Sequence, residues 1–303
     1  MRFLLALFAV FLILMTNFSV SPVLAQNVNE LRLGNSVWNH STISALIVTA
    51  DKESWWNPAY VNNTIRAIGQ WNEAINEFAI NQSNYNYLLG TSINAQVSNE
   101  TFPSYDLYIN WTESINGDMS NEIGLTTIYS SSTNIITKCT MSLGVKTNIG
   151  VTLSNIDMQN IALHELGHCL GLSHCNYSSD IMYPLYNVGG SSSLLSTLDV
   201  YGVATMFAWK LDPANIFPVR QWLNETSVTL PADIPYQYLS VSAENTPPLT
   251  IIDNPISQFF IMLFALVAMP LIAIPIIILI IMLVFAVLVT RRSKSSSTHK
   301  NSA

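Results

Sequence analysis

The sequence predicts a mixed α/β (α+β) domain built on a twisted sheet, and three observations carry that prediction. A β-branched run near the amino end, Ile43 to Ala50, reads as a buried strand. Behind it, Pro58 to Ala79 places Ile65, Ile68, Trp71, Ile75 and Phe78 at three- and four-residue steps. That spacing gives an amphipathic helix whose apolar stripe covers a sheet. The remaining order is several short strands, helix, loop and helix, as expected of helices packed on a sheet.

The later elements follow the same logic. Tyr85–Gln96, Tyr105–Trp111, Gly124–Tyr129 and Asn134–Leu143 read as strands, separated by turn chemistry at Asn116-Gly117-Asp118 and Ser130-Ser131-Ser132. Asp157–Leu170 reads as a helix. Ser196–Trp209 reads as a last helix with Leu198, Val200, Val203, Met206 and Phe207 on its inner face. These elements place one folded domain over residues 26–211. Beyond it, Pro213, Pro218, Pro231, Pro235, Pro247 and Pro248 argue against long regular elements. Residues 212–256 therefore read as a juxtamembrane spacer, with a small extra β module as the alternative.

Both ends are apolar. Residues 1–25 have a basic start at Arg2, an apolar core from Phe3 to Met15 and a small residue at Ala25, the layout of a cleavable signal peptide rather than an uncleaved anchor. Phe259 to Val289 carries no charge, and residues 257–290 read as a transmembrane helix that tolerates Pro270 and Pro275. Arg291, Arg292 and Lys294 open a basic tail, residues 291–303, which the positive-inside tendency puts in the cytoplasm and the bulk of the chain outside the cell. That tail argues against a removable lipid-anchor signal.

Between Glu30 and Asp253, 19 Asp and Glu face seven Lys and Arg, a balance of −12. This excludes nucleic acid as a partner, because phosphate backbones call for clustered cations. Seven Asn-x-Ser/Thr sites, at Asn39, Asn62, Asn81, Asn99, Asn110, Asn176 and Asn224, fit a glycosylated exported domain. Cys139, Cys169 and Cys175 allow one disulfide and one spare thiol, with the pairing open.

The chemistry is concentrated in His164-Glu165-Leu166-Gly167-His168-Cys169-Leu170-Gly171-Leu172-Ser173-His174. His164 and His168 lie four apart on a helix, so their imidazoles share a face. Gly171 allows a left-handed turn that returns His174 to the same ion. Three nitrogen ligands leave one position open, as in a catalytic Zn2+ site. Glu165, beside His164 but not placed as a ligand, is the expected general base. A structural zinc module is disfavoured by the open position.

This segment resembles the metzincin zinc proteases, specifically the matrixin branch that includes the matrix metalloproteinases. Met182, in Asp180-Ile181-Met182-Tyr183-Pro184, resembles the family's Met-turn. The likeness implies a zincin-type catalytic domain with an active-site helix and a carboxyl-terminal helix. It also implies that Met182 forms a floor beneath the imidazoles, while Tyr183 and Pro184 begin a substrate-pocket wall. The implied activity is a membrane-anchored extracellular endopeptidase acting on protein or peptide substrates, with a substrate strand pairing near Leu143–Leu153. A catalytically weak adhesion protein on the same scaffold is the rival, and Glu165 argues against it.

The sequence also departs from the family. No Pro-Arg-Cys-Gly segment is found, so latency of the family type is not expected. His40 and His299 do not supply a second zinc site. Asn116-Gly117-Asp118 to Glu122 lacks a full oxygen-ligand pattern and reads as a solvated acidic turn, with a remnant Ca2+ loop as the alternative.

Overall fold

The computed structural model describes residues 29–115, 122–216, 223 and 226–240. The leader, the apolar stretch 257–290, the basic tail and the Asn116-Gly117-Asp118 turn lie outside the described residues. Among the described residues no helix is long and apolar enough to cross a membrane.

A five-stranded sheet forms the frame. Its strands are β2 (Thr42–Val48), β3 (Ser92–Ser98), β4 (Leu107–Thr112), β5 (Gly124–Ser130) and β6 (Ile136–Gly144), in the order β3-β2-β4-β6-β5. All pairings are parallel except β5 with β6. Ala45, Ile47, Leu107, Ile109, Cys139, Met141 and Leu143 are buried, so the central strands are apolar as strands covered by other elements must be. Two helices cover the sheet, α1 (Ala59–Asn81) toward β3 and α2 (Asn155–Cys169) toward β5 and β6, and they pack on each other. Trp71, fully buried on α1, joins them by donating its indole N–H to the carbonyl of Leu163 at 3.0 Å.

A second, three-stranded sheet has the order β7-β1-β8, with β1 Leu31–Leu33, β7 Leu172–Cys175 and β8 Ser227–Val228. The last helix, α3, covers Thr197–Met206 and packs against β1 and β7. Part of the stretch read as a spacer, residues 226–240, thus lies against the domain. Val228, Ile234 and Leu239 are buried there.

Three expectations need correction. Tyr85–Gln96 is not one strand: a 3-10 turn covers Ser83–Leu88, and β3 begins only at Ser92. The alternating tyrosines imitate a strand, but Tyr85 packs its ring on Phe78 and Tyr201, and Tyr87 donates to the carbonyl of Ala204 at 2.8 Å. The final helix stops at Met206 rather than Trp209 and gives way to a 3-10 turn over Ala208–Leu211. Finally, Leu143–Leu153 offers no open sheet edge. β6 is paired on both sides, and Lys146 bridges Thr152 in a tight return. The outer strand beside α2 is β5.

Both α2 and α3 begin in capping boxes. Ser154 and Asp157 exchange side-chain and backbone hydrogen bonds, as do Ser196 and Asp199. A disulfide joins Cys139 of β6 to Cys169 at the end of α2, with Cα atoms 5.9 Å apart. Helix α2 is therefore fixed at its start by a cap and at its end by a covalent bond to the sheet.

Replacing Cys139 and Cys169 together by alanine removes a link across 30 residues of sequence. Chain entropy alone then gives an expected loss of about 3–4 kcal/mol of unfolding free energy. Urea unfolding of the paired variant checks this; a loss below about 1 kcal/mol contradicts a stabilising role for the bridge.

Candidate metal centre

The structure brings His164, His168 and His174 together. One ligand atom from each lies within 4.8 Å of the others. His164 and His168 leave one face of α2, and their Nε2 atoms are 3.1 Å apart. Helix α2 ends at Cys169, and Gly171 takes φ +98°, a left-handed conformation that turns the chain into β7. His174 stands on the exposed face of β7, while its neighbour Cys175 points into the core.

Hydrogen bonds decide which nitrogen faces inward. His164 Nδ1 lies 2.7 Å from the carbonyl oxygen of Ile181, and His168 Nδ1 lies 2.9 Å from that of Leu172. A carbonyl only accepts, so each Nδ1 carries the proton and each Nε2 keeps its lone pair. Burial, with neighbouring imidazoles second or third, lowers His164 to about 3 and His168 to about 4; burial and Arg32 lower His174. All three rings are therefore neutral near pH 7, the form that binds metal. Tetrahedral Zn–N bonds of about 2.0–2.1 Å place nitrogen atoms roughly 3.3 Å apart, close to the His164–His168 separation. The donor set fits Zn2+.

Glu165 is buried beside this cluster. Its Oε2 accepts from the Thr126 hydroxyl at 2.7 Å. Burial raises its carboxyl to about 7; the Thr126 bond opposes that shift and the Glu122 charge adds to it. Gly124 is required beneath it, because a Cβ there would fall on the Glu165 carboxylate. Neither Thr126 nor Gly124 was legible in the sequence, since β5 meets α2 only through the tertiary fold.

Met182 is fully buried against α2 at Gly167, where a Cβ would strike its sulfur. Its amide donates to Asp180 Oδ1 at 2.9 Å, and its carbonyl accepts from the Cys175 amide at 2.9 Å. Tyr183 is half-buried and Pro184 exposed. Asp199, wholly buried, has its carboxyl held well above the usual range by burial and by the Asp180 carboxylate beside it. Its Oδ2 accepts from the Ser196 amide at 2.7 Å. Cys175, the one free thiol, is buried and pushed up to about 12, chiefly by burial, so it is a neutral thiol outside the imidazole cluster.

A cavity of about 590 Å³ lies elsewhere, at the ends of β2, β3 and β4, and contains none of these groups. Its acidic lining, with Asp51 and Glu113, has no metal-binding geometry among the described residues.

The raised Glu165 carboxyl makes a linkage prediction for the metal-free chain. Below its ordinary value of 4.5 the group is protonated in both folded and unfolded states. Between 4.5 and about 7 the unfolded chain releases the proton first, so the folded state loses stability as pH rises. Glu165→Gln removes this penalty. In chelator-treated samples the variant's advantage in urea midpoint over the parent is expected to grow from about pH 5 to about pH 8. A gap that does not change with pH contradicts the assignment.

The matrixin family model matches residues 37–208. Short segments also match curated proteins. Stromelysin-1 of Equus caballus is 43% identical over 56 residues, covering 18% of this chain and 12% of that protein. Karilysin of Tannerella forsythia is 39% identical over 59 residues, covering 18% and 12%. Metalloendoproteinase 2-MMP of Arabidopsis thaliana is 36% identical over 52 residues, covering 17% and 14%. The matched stretches thus span no more than 14% of the length of these relatives. The match covers more than half of the chain, so this chain belongs to the matrixin family of zinc metalloendopeptidases.

Proposed function

We propose that the protein hydrolyses peptide bonds in extended segments of exported or cell-surface proteins, with His164, His168 and His174 holding one catalytic zinc and Glu165 acting as general base. The observation that carries this reading is the buried Glu165 carboxyl beside three clustered imidazoles, of which His164 and His168 turn their Nε2 lone pairs inward. When bound, Zn2+ supplies a Lewis acid and lowers the pKa of a coordinated water toward ~7. Glu165 takes a proton from the attacking water and returns it to the leaving amine. Thr126 aims the Glu165 carboxylate, and Gly124 leaves room for it. Met182 underlies the imidazoles, and Tyr183 and Pro184 begin the wall that receives the residue after the scissile bond.

The outer edge of β5 supports main-chain pairing with substrate, because it is the open edge beside Glu165. Export and anchoring rest on the sequence alone. The leader, the apolar stretch 257–290 and the basic tail support a single-pass protein with its catalytic domain outside the cell. Such an anchor confines the enzyme to nearby targets.

The test is cleavage of a quenched peptide library by the purified chain, with metal analysis. The expected result is about one zinc per chain and cleavage that falls by 10²-fold or more, roughly, in Glu165→Gln while zinc is retained. His168→Ala is expected to lose both zinc and cleavage. A zinc-loaded parent that cleaves nothing favours the adhesion reading, and equal turnover by parent and Glu165→Gln contradicts the role given to the carboxylate.

A further inference from the structure

The third ligand and the Met-turn are held from outside the segment that matches the family. His174 sits on β7, and β7 pairs with β1, which pairs with β8. Both β1 and β8 fall outside residues 37–208. After β8 the chain returns along the start of α3. The amide of Thr197 donates to the carbonyl of Gln237 at 2.9 Å, and the amide of Leu239 donates to that of Leu195 at 2.8 Å. The Thr197 hydroxyl donates to the carbonyl of Pro235 at 2.8 Å and accepts from the Gln237 amide at 3.1 Å. This strap places the Tyr236 ring edge-on against Tyr177, with centroids 5.3 Å apart.

From there the hydroxyl of Tyr236 donates to Asp180 Oδ2 at 3.0 Å. Ser196 donates to the same oxygen at 2.8 Å. The other oxygen of Asp180 accepts the Met182 amide. Between Asp180 and Met182 lies Ile181, whose carbonyl accepts the hydrogen bond from His164 Nδ1–H. Hydrogen bonds and the single peptide unit formed by the Ile181 carbonyl and the Met182 amide therefore link Tyr236 to His164. Asp180 has only 5% of its surface exposed, so its hydrogen bonds lie where an unmet partner costs most.

We infer that Tyr236, on a strap beyond the family's matched domain, is a positioning residue for the metal centre, acting through Asp180 on the turn that carries Ile181 and Met182. The inference deepens the zinc-peptidase reading and rests on it for the identity of the metal. It makes residues 226–240 part of the working unit: a chain ending at α3 keeps the Ser196 and Met182 bonds to Asp180 but lacks the Tyr236 hydroxyl that shares Oδ2 with Ser196. Outer-shell partners of this kind set ligand orientation, and their loss weakens metal binding about 10–100-fold.

Tyr236→Phe in the full chain tests it, because the ring stays and only the hydroxyl leaves. Zinc affinity is measured by chelator competition, the Co2+-loaded absorption spectrum is recorded, and unfolding of the metal-free chain is followed. The expected result is an unfolding midpoint close to the parent's, zinc affinity lower by about tenfold, an altered Co2+ spectrum, and kcat reduced with KM unchanged. Asp180→Asn/Tyr236→Phe is expected to bind zinc no more weakly than Asp180→Asn alone, since both changes break one path. Tyr108→Phe, which removes a bond to the Phe102 carbonyl, is expected to leave zinc affinity unchanged.

Unaltered zinc affinity and Co2+ spectrum in Tyr236→Phe overturn the inference. If the parent binds zinc but cleaves nothing, the peptidase reading falls while the affinity comparison still decides the role of Tyr236; a parent that binds no zinc sinks both. Should Tyr236→Phe fail to fold, hydrogen exchange on the parent decides. The Met182 and Leu239 amides are expected to open together, and exchange of Leu239 well ahead of Met182 overturns the inference.

Discussion

The Nδ1–H of His164 donates to the carbonyl of Ile181 at 2.7 Å, and much of the architecture keeps that carbonyl where it is. The bond joins the zinc helix to the Met-turn, two segments 17 residues apart in sequence. If the carbonyl moves, the imidazole rotates or its proton changes nitrogen, and the inward lone pair is lost. Gly167 lets Met182 lie flat against the helix, Asp180 holds the Met182 amide, and the capping box at Ser196 brings Asp180 a hydroxyl. On the helix side, the Ser154 cap, Trp71 and the Cys139–Cys169 bridge fix α2 along its length.

Burial then sets the charge state of the centre. His164 and His168 are held neutral near pH 7, Glu165 is poised near it, and the Asp199 carboxyl is pushed well above its ordinary range. Leaving an ion unpaired in such surroundings costs several kcal/mol, whereas one neutral hydrogen bond contributes about 1 kcal/mol. Desolvation therefore wins over any single hydrogen bond at these positions. The result is a set of neutral donors awaiting a cation, with one carboxyl able to change its proton at physiological pH. The same reasoning keeps Cys175 out of the chemistry: a thiol this far up its titration range offers no thiolate.

Local features were legible where the chemistry is local. The histidine spacing, Gly171 and Met182 lie within 19 residues of sequence, and helix geometry translates them directly into space. The stripe through Trp71 gave α1, and β-branched runs gave β2 and most of the frame. Two further signals were present and unread: Ser154 with Asp157 and Ser196 with Asp199 have the spacing of capping boxes. What no local pattern carries is pairing. Thr126 reaches Glu165 across 39 residues and Tyr236 reaches Asp180 across 56. The tyrosines at 85 and 87 misled for the same reason: their alternation is a strand's, but their partners are distant rings and a distant carbonyl. The proline-rich stretch after α3 has no periodicity, and its place is fixed by the pairing of β8 with β1 and by bonds to Leu195, Thr197 and Asp180.

In the proposed centre the metal is held by three imidazoles, His164 and His168 through Nε2, and by no sulfur. X-ray absorption at the zinc edge of the metal-loaded chain tests it most directly. The expected result is one shell of three imidazole nitrogens at about 2.0–2.1 Å with one further light atom. A sulfur contribution near ~2.3 Å, or fewer than three imidazoles, would contradict it.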